Sequence, residues 1–382
     1  MPFDFDHLPD LSTGDSIKWN RYAGQDILPL WIADMDFPAP PAVVEALQRR
    51  VSRASFGYAE PWPALIDAVQ THLQHSFGWR IEPDWLVWLP GLVTGINLAC
   101  RAVPGPVFTA TPVYPPFLAA PFHAGKALLS TPLQRQDTSG QARWTWDFPA
   151  IEQTLRRHLP PDAGLFLLCH PHNPVGRAWT EKELHEIDRL AAQHKLIVCS
   201  DEIHCDLILD PGTRHRPYAT LSEEAAQRSI TLMAPSKTFN IAGLGCAFAI
   251  IPDRALRHAF RSAMQGLVPH VNALGLAACE AAYREGGEWH TAALKYLRGN
   301  RDWLEQQLSA LPDLHMTHVE ASYLAWIDTA TFSEKHGIPN PQRFFEQAGV
   351  GLGVGLSAGS DFSLPVNGKN PSRHFHAECS SR

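Results

Sequence analysis

Lys237 stands in the stretch Ala234-Pro235-Ser236-Lys237-Thr238-Phe239-Asn240-Ile241-Ala242-Gly243-Leu244-Gly245, where an apolar run gives way to small and polar residues. The runs on either side, Ile230-Thr231-Leu232-Met233 and Cys246-Ala247-Phe248-Ala249-Ile250-Ile251, predict buried strands, which puts Lys237 in a loop at a strand end facing the core. A lysine there is poorly solvated, which favours the neutral, nucleophilic amine that makes a Schiff base with a carbonyl. A loop lysine snorkelling to water is the plainer reading of the same Ser-Lys pair.

Other residue types that do chemistry recur in the same kind of place. Asp201-Glu202-Ile203-His204 follows Leu196-Ile197-Val198-Cys199-Ser200, so two acids and a histidine fall at the carboxyl end of a buried strand, where ligands bind in open α/β sheets. A helix cap is the other reading of Asp201. Asn173 follows the strand Gly164-Leu165-Phe166-Leu167-Leu168-Cys169 and precedes a proline, so its amide is aimed into a cleft or closes an Asx turn. Tyr114, flanked by prolines after Val107-Phe108-Thr109, is a stiff aromatic that can stack on a planar ligand or pack in the core. Gly91-Leu92-Val93-Thr94-Gly95 links the strand Trp85-Leu86-Val87-Trp88-Leu89 to a helix over 96–103. The free amides of a helix start and the Thr94 hydroxyl can hold a phosphate there, although glycine between strand and helix is also an ordinary turn.

The elements that must position these groups alternate strand and helix from about residue 84, which predicts an α/β fold with a mostly parallel central sheet covered on both faces. After Pro252 the pattern changes to helices over 254–264, 272–285 and 289–310, then a strand over 323–328 and a short helix over 340–347, a smaller α+β domain. The expected division is a large domain over 42–275 and a small one formed by 1–41 with 276–382. The proline- and tryptophan-rich opening predicts a structured loop, and residues 40–55 a helix closed by the glycine of Phe56-Gly57-Tyr58. Thr180-Glu181-Lys182-Glu183 is a capping box before a helix with Leu184, Ile187, Leu190 and Ala191 on one face.

Composition bounds the partners. The chain has 382 residues, is 45% hydrophobic and 19% charged, and carries a net charge of −7, which is ordinary for a globular protein with a sizeable core. No lysine- and arginine-rich run points to nucleic acid or an anionic membrane, and no stretch approaches the length of a membrane span, so the substrate is expected to be small and the protein cytoplasmic. The seven cysteines include no Cys-x-x-Cys, and reduced, buried thiols are expected. Cys169-His170-Pro171-His172 and Cys199 with His204-Cys205 have spacings that fit no closed zinc site, so no metal is expected.

Taken jointly, an anion cradle, an aromatic plate, an amide, a buried acid and a nucleophilic lysine, all at carboxyl ends of strands in one sheet, are what pyridoxal phosphate requires. The lysine holds the cofactor, the acid keeps the pyridine nitrogen protonated so that the ring is an electron sink, and the amide bonds the phenolic oxygen.

The chain also resembles the fold-type I pyridoxal-phosphate enzymes, and within them the MalY/PatB-type cystathionine β-lyases. The matching strings are Ser16-Ile17-Lys18-Trp19, Trp31-Ile32-Ala33-Asp34-Met35-Asp36-Phe37, Phe56-Gly57-Tyr58, Thr111-Pro112-Val113-Tyr114-Pro115-Pro116-Phe117, His172-Asn173-Pro174-Val175-Gly176, Ser200-Asp201-Glu202-Ile203-His204, and the stretch from Ser236 to Leu244. The resemblance implies an aminotransferase-like fold with Lys237 as the Schiff-base lysine, Asp201 as the pyridine-nitrogen partner, Asn173 near the phenolic oxygen and Tyr114 stacked on the ring. It puts Val93, Thr94 and Ser236 at the phosphate, and His204 beside the cofactor where ordinary aminotransferases carry tyrosine. It also implies a homodimer in which Tyr58 reaches the neighbouring subunit's phosphate, with Ala33 and Asp34 near the substrate carboxylate. The implied reaction is α,β-elimination from L-cystathionine or related cysteine S-conjugates to a thiol, pyruvate and ammonia. An aminotransferase of the same fold, or a cofactor-holding regulatory protein with weak lyase activity, are the alternatives. One departure concerns the tail: such proteins end in a strand carrying Arg-Leu-Asn-Phe, whose arginine grips the substrate carboxylate, and a final helix, whereas residues 363–382 lack both. Arg373 is the nearest candidate, with Arg382 or no arginine as alternatives.

Overall fold

Five-residue runs such as LFLLC are apolar on both faces, and a strand with no polar face is stable only with cover on either side. The computed structural model, which describes residues 3–138, 141–160, 164–347, 353–364 and 374–378, builds a seven-stranded sheet from such runs. Its strands are β1 (Leu86–Leu89), β2 (Val107–Thr111), β3 (Leu128–Pro132), β4 (Leu165–Cys169), β5 (Ile197–Asp201), β6 (Ser229–Met233) and β7 (Ala247–Ile250), in the spatial order β1-β7-β6-β5-β4-β2-β3. Neighbours run parallel except β7, which is antiparallel to both β1 and β6. One face of the sheet packs Val107, Leu165, Leu167, Ile230 and Leu232 against Ile96, Phe117 and Phe260. The opposite face packs Phe108, Phe166, Leu168 and Val198 against Ile151, Leu155, Leu184, Ile187 and Leu190. Alternate residues of each strand thus serve two cores.

The C-terminal part builds a four-stranded sheet in which His374–Glu378 lies between Leu324–Asp328 and Ser357–Ala358, with His315–Met316 on the far edge. The N-terminal segment joins it: Ile27–Pro29 pairs in parallel with Gly353–Gly355. Helices Arg254–Met264, Ala273–Glu285, Gly287–Ser309 and Pro341–Gln347 stand where expected to within two residues, and the Thr180 capping box is formed.

Other expectations need correcting. The helix predicted over 40–55 ends at Val51, capped by Ser52, and Gly57 lies beyond it, outside any helix or strand, rather than closing it. The helix Pro63–Phe77 was not foreseen, although its buried Leu65, Ala68, Val69 and Leu73 have helical spacing. The helix expected from residue 96 starts at Leu92, so Val93 and Thr94 are in its first turn. The strand His374–Glu378 also went unforeseen, because its alternation of polar and apolar residues is short and sits in a polar tail. The six described cysteines are free and buried, and Cys379 lies outside the described residues. Among the described residues no cluster of three His, Cys, Asp or Glu side chains could hold a metal, and no helix is long and apolar enough to cross a membrane.

Candidate active site

Asp201 is the last residue of β5 and is 5% exposed. No helix follows it. Its Oδ1 accepts the Ile203 amide at 3.2 Å, a local turn that fixes the carboxyl instead of capping a helix. Burial lifts its pKa to about 7, with the Ile203 hydrogen bond pulling down and the charge of Glu202 pushing further up. Glu202 belongs to a separate buried cluster. It accepts from Ser200 Oγ (2.8 Å) and the Tyr218 amide (3.0 Å), and pairs with His215 Nε2 at 2.7 Å, whose ring lies against that of His170. Burial raises Glu202 to about 7 and lowers His170 and His215 to about 3, so both rings are neutral at physiological pH.

β6 lies beside β5, with Leu232 in register with Asp201, and the chain leaving β6 carries Ser236 and Lys237. The Lys237 amine donates to the carbonyl of Ala33, and the Tyr323 hydroxyl donates to the same oxygen at 3.4 Å. The loop that presents this carbonyl is held from two sides. Asn240, three residues after Lys237 and at φ +54°, accepts the Met35 amide (3.1 Å) and donates to the carbonyls of Met35 (2.9 Å) and Phe37 (2.8 Å). Lys18, fully buried, pairs with buried Asp36 at 2.8 Å and donates to the Asp34 carbonyl at 2.8 Å, while Trp19 Nε1 donates to Asp36 at 2.9 Å. A buried pair of this kind contributes fixed geometry more than net stability.

Tyr114 opens the helix Pro115–His123, and its amide donates to the Asn173 carbonyl at 3.1 Å, which joins the ends of β2 and β4. Burial raises its pKa, with the charge of Asp201 adding to the rise, so Tyr114 and Asp201 share one electrostatic neighbourhood. His204 is buried with its ring edge toward Tyr323. Val93 and Thr94 occupy the first turn of Leu92–Ala102, whose N-cap Gly91 has open space where a side chain would stand. Lys237 and Ala33 are thus in contact, and Asp201, Asn173, Tyr114, His204 and Ser236 gather at adjoining strand ends. Tyr58 is not brought there: it is fully exposed. Arg373 and Arg382 lie outside the described residues.

Sequence reasoning missed Asn240, Lys18, Asp36 and Tyr323 as parts of this wall. Asn240 had a usable signal, since asparagine tolerates positive φ and follows the lysine closely. Lys18 stands in one of the strings that carry the resemblance, but a lysine reads as surface and nothing in the string shows its amine buried against Asp36.

The aminotransferase class I and II model matches residues 25–338, most of the chain. The chain belongs to that family. Within it, the chain is 39% identical over 339 residues to the cystathionine beta-lyase PatB of Bacillus subtilis, covering 86% of this chain and 85% of that protein. The crystal structure of OvoB superposes on this chain with a TM-score of 0.89 at 46% identity, covering 99% of this chain and 95% of that one. A PLP-bound C-S lyase from Staphylococcus hominis superposes at 0.89 with 26% identity, covering 99% and 94%. The family likeness expected from the motifs therefore holds over nearly the whole fold, including the mostly parallel α/β sheet read from the alternation of strands and helices.

Proposed function

We propose that this protein is a pyridoxal-phosphate enzyme that eliminates a thiolate from the β-carbon of L-cystathionine or related cysteine S-conjugates, yielding a thiol, pyruvate and ammonia. The carrying observation is the Lys237 amine, seated against the Ala33 carbonyl at the edge of the strand ends that bear Asp201, Asn173 and Tyr114.

The residues fit the cofactor. Asn173 keeps its Oδ1 buried with no hydrogen-bond partner, the kind of orphan that a bound polar group satisfies. Asp201 is a buried carboxyl with no cation among the causes that set its pKa, so it suits a pyridinium nitrogen, whose charge would hold it ionised. The first turn of Leu92–Ala102, with open space at Gly91 and the Thr94 hydroxyl, suits a phosphate. Bound there, the cofactor supplies an electron sink for the charge that develops at the substrate α-carbon. The chain's own groups do the rest. Lys237 Nζ would hold the cofactor, and its amine, once free, would be the base placed to take the α-proton. Asp201 would keep the ring nitrogen charged, and Asn173, His204 and Tyr114 would hold the ring. The thiolate leaves because it is a far better leaving group than hydroxide.

The reading includes a homodimer with shared sites. Tyr58 and Phe56, 104% and 65% exposed in a stretch with little contact to its own chain, are suited to reach a neighbouring subunit.

Incubating the purified holoenzyme with L-cystathionine and assaying pyruvate tests the proposal. Pyruvate release lost in Lys237→Ala is the expected result. No pyruvate above that control, with conversion of the cofactor to its amine form by simple amino acids, would make it an aminotransferase instead. A yellow absorbance band fixed onto Lys237 by borohydride establishes the attachment point.

A further inference from the structure

Residues 318–322 join three loops of the site. The amides of Glu320 and Ala321 donate to the Gly176 carbonyl at 2.9 and 3.0 Å, in the loop after Asn173. On the other side the Leu209 amide donates to the Glu320 carbonyl (2.8 Å) and the Ser322 amide to the Leu207 carbonyl (2.7 Å), in the chain that runs on from His204, with Ile208 bridged to Ala321. The segment leads into Tyr323, whose hydroxyl donates to the Ala33 carbonyl that the Lys237 amine also contacts. A shift along it therefore reaches the surroundings of Asn173, His204 and Lys237 together.

His318 fastens the far end of this segment. Its Nε2 lies 2.9 and 3.0 Å from the two carboxylate oxygens of Asp210, and its Nδ1 lies 2.9 and 3.1 Å from those of Glu305 in the helix Gly287–Ser309. A carboxylate only accepts and a neutral imidazole carries one N–H, so only the imidazolium satisfies both contacts. The surrounding charges fit that state. Asp210 also takes Arg301, which is shared with Asp302 at 2.7 Å and with the Val319 carbonyl at 2.8 Å, and Glu320 is held by Arg177 at 3.0 Å and by Arg143. Glu305 otherwise accepts only the Val319 amide, at 3.3 Å, among the described residues, so His318 is its cation. The hydrogen bond to Glu305 raises the ring's pKa above its ordinary 6.5; burial pulls the other way, and the charge of Glu305 and the contact with Asp210 add to the rise.

We propose that His318 is a positioning residue: as an imidazolium bolting Asp210 to Glu305 it holds residues 318–322 in register with the loops of Asn173 and His204, and on losing its proton it releases one carboxylate and slackens Tyr323 against the Ala33 carbonyl. Activity then declines at alkaline pH through a group that touches neither substrate nor cofactor. Because the folded pKa lies above the unfolded one, the stability this group contributes is complete below about pH 6.5 and is lost as pH rises through the folded value. The inference goes beyond the elimination reading, and the clamp itself is independent of which reaction the site performs.

The test compares wild-type, His318→Gln, His318→Arg and Glu305→Gln holoenzymes between about pH 6 and about pH 9.5, in melting temperature and in kcat/KM for pyruvate release from L-cystathionine. At about pH 6, His318→Gln is expected to melt about 3 °C below wild type with kcat/KM down about fivefold, and both gaps should close toward the alkaline end, where wild type has lost the same proton. His318→Arg, whose guanidinium can donate to both carboxylates at every pH, should stay near wild type in acid and flatten the alkaline decline. Glu305→Gln should move the midpoint of that decline about one pH unit toward acid, since an attracting charge is gone. A His318→Gln gap of equal size at every pH would make His318 an ordinary packing residue, and the absence of a gap at the acid end would overturn the clamp outright. Should wild type itself release no pyruvate, the elimination reading fails, and the melting curves alone still decide the role of His318.

Discussion

Asn240 accepts one amide and donates to two carbonyls of a loop that is remote in sequence, and so ties the segment bearing Lys237 to the carbonyl that Lys237 contacts. Asn240→Ala leaves three half-buried backbone groups without partners and is expected to cost about 2 kcal/mol in urea unfolding, with kcat/KM falling at least about tenfold. Asp201 gives a second prediction, for the apoprotein. Its folded pKa, about 7, lies above its ordinary value of 3.8, so between those two pH values the folded state binds the extra proton. Stability from this group is therefore lost as pH rises from about 4 to 7. Asp201→Asn removes that loss, so the apoprotein variant is expected to melt above wild type at pH 8, with the gap closing toward pH 4. A calorimetric scan series checks this, and cofactor binding should abolish the advantage, because the ionised carboxylate then has its cation.

At the level of elements, two glycines set how closely segments approach the site. Gly176 sits at φ +67° in the loop after Asn173, with its carbonyl accepting from the Glu320 and Ala321 amides, and a Cβ there would lie 2.8 Å from Val319 Cγ1. Gly275, in the helix Ala273–Glu285, faces the Leu244 carbonyl in the turn that follows Lys237, where a Cβ would collide. Gly275→Ala is expected to push that helix off the turn, costing about 2 kcal/mol in stability, and to weaken cofactor retention on dialysis. The sequence displayed the parallel sheet and its strand ends clearly, because a strand buried on both faces is an unbroken apolar run and the polar residue that ends it stands out. The places of Asp201, Asn173, Tyr114 and Lys237 at or just after strand ends were legible for that reason. What joins distant loops was not: the Asn240 clamp, the Lys18–Asp36 pair and the Tyr323 hydroxyl each depend on which loops meet, and a single sequence carries periodicity but not contacts between remote segments. The His374–Glu378 strand was hidden for a different reason, since pairing on both sides, rather than its own pattern, makes it a strand.

At the scale of the whole molecule, the exposed Tyr58 predicts an exchange experiment. Lys237→Ala and Tyr58→Ala proteins, each inactive if sites are shared, are expected to recover about a quarter of wild-type activity after mixing and subunit exchange, because half the dimers are hybrids with one intact site. No recovery, with dimers confirmed by light scattering, would show that Tyr58 serves its own chain or none. The buried Lys18–Asp36 pair also bears on how the protein is handled in the laboratory. Trimming the amino terminus residue by residue should lower the melting temperature in two steps, a first when the cut passes Phe5, which is buried against Phe37, Trp289 and Tyr296, and a second when it passes Ser16 and reaches Lys18. An affinity tag spliced close to that point would act as a mutation of the site itself.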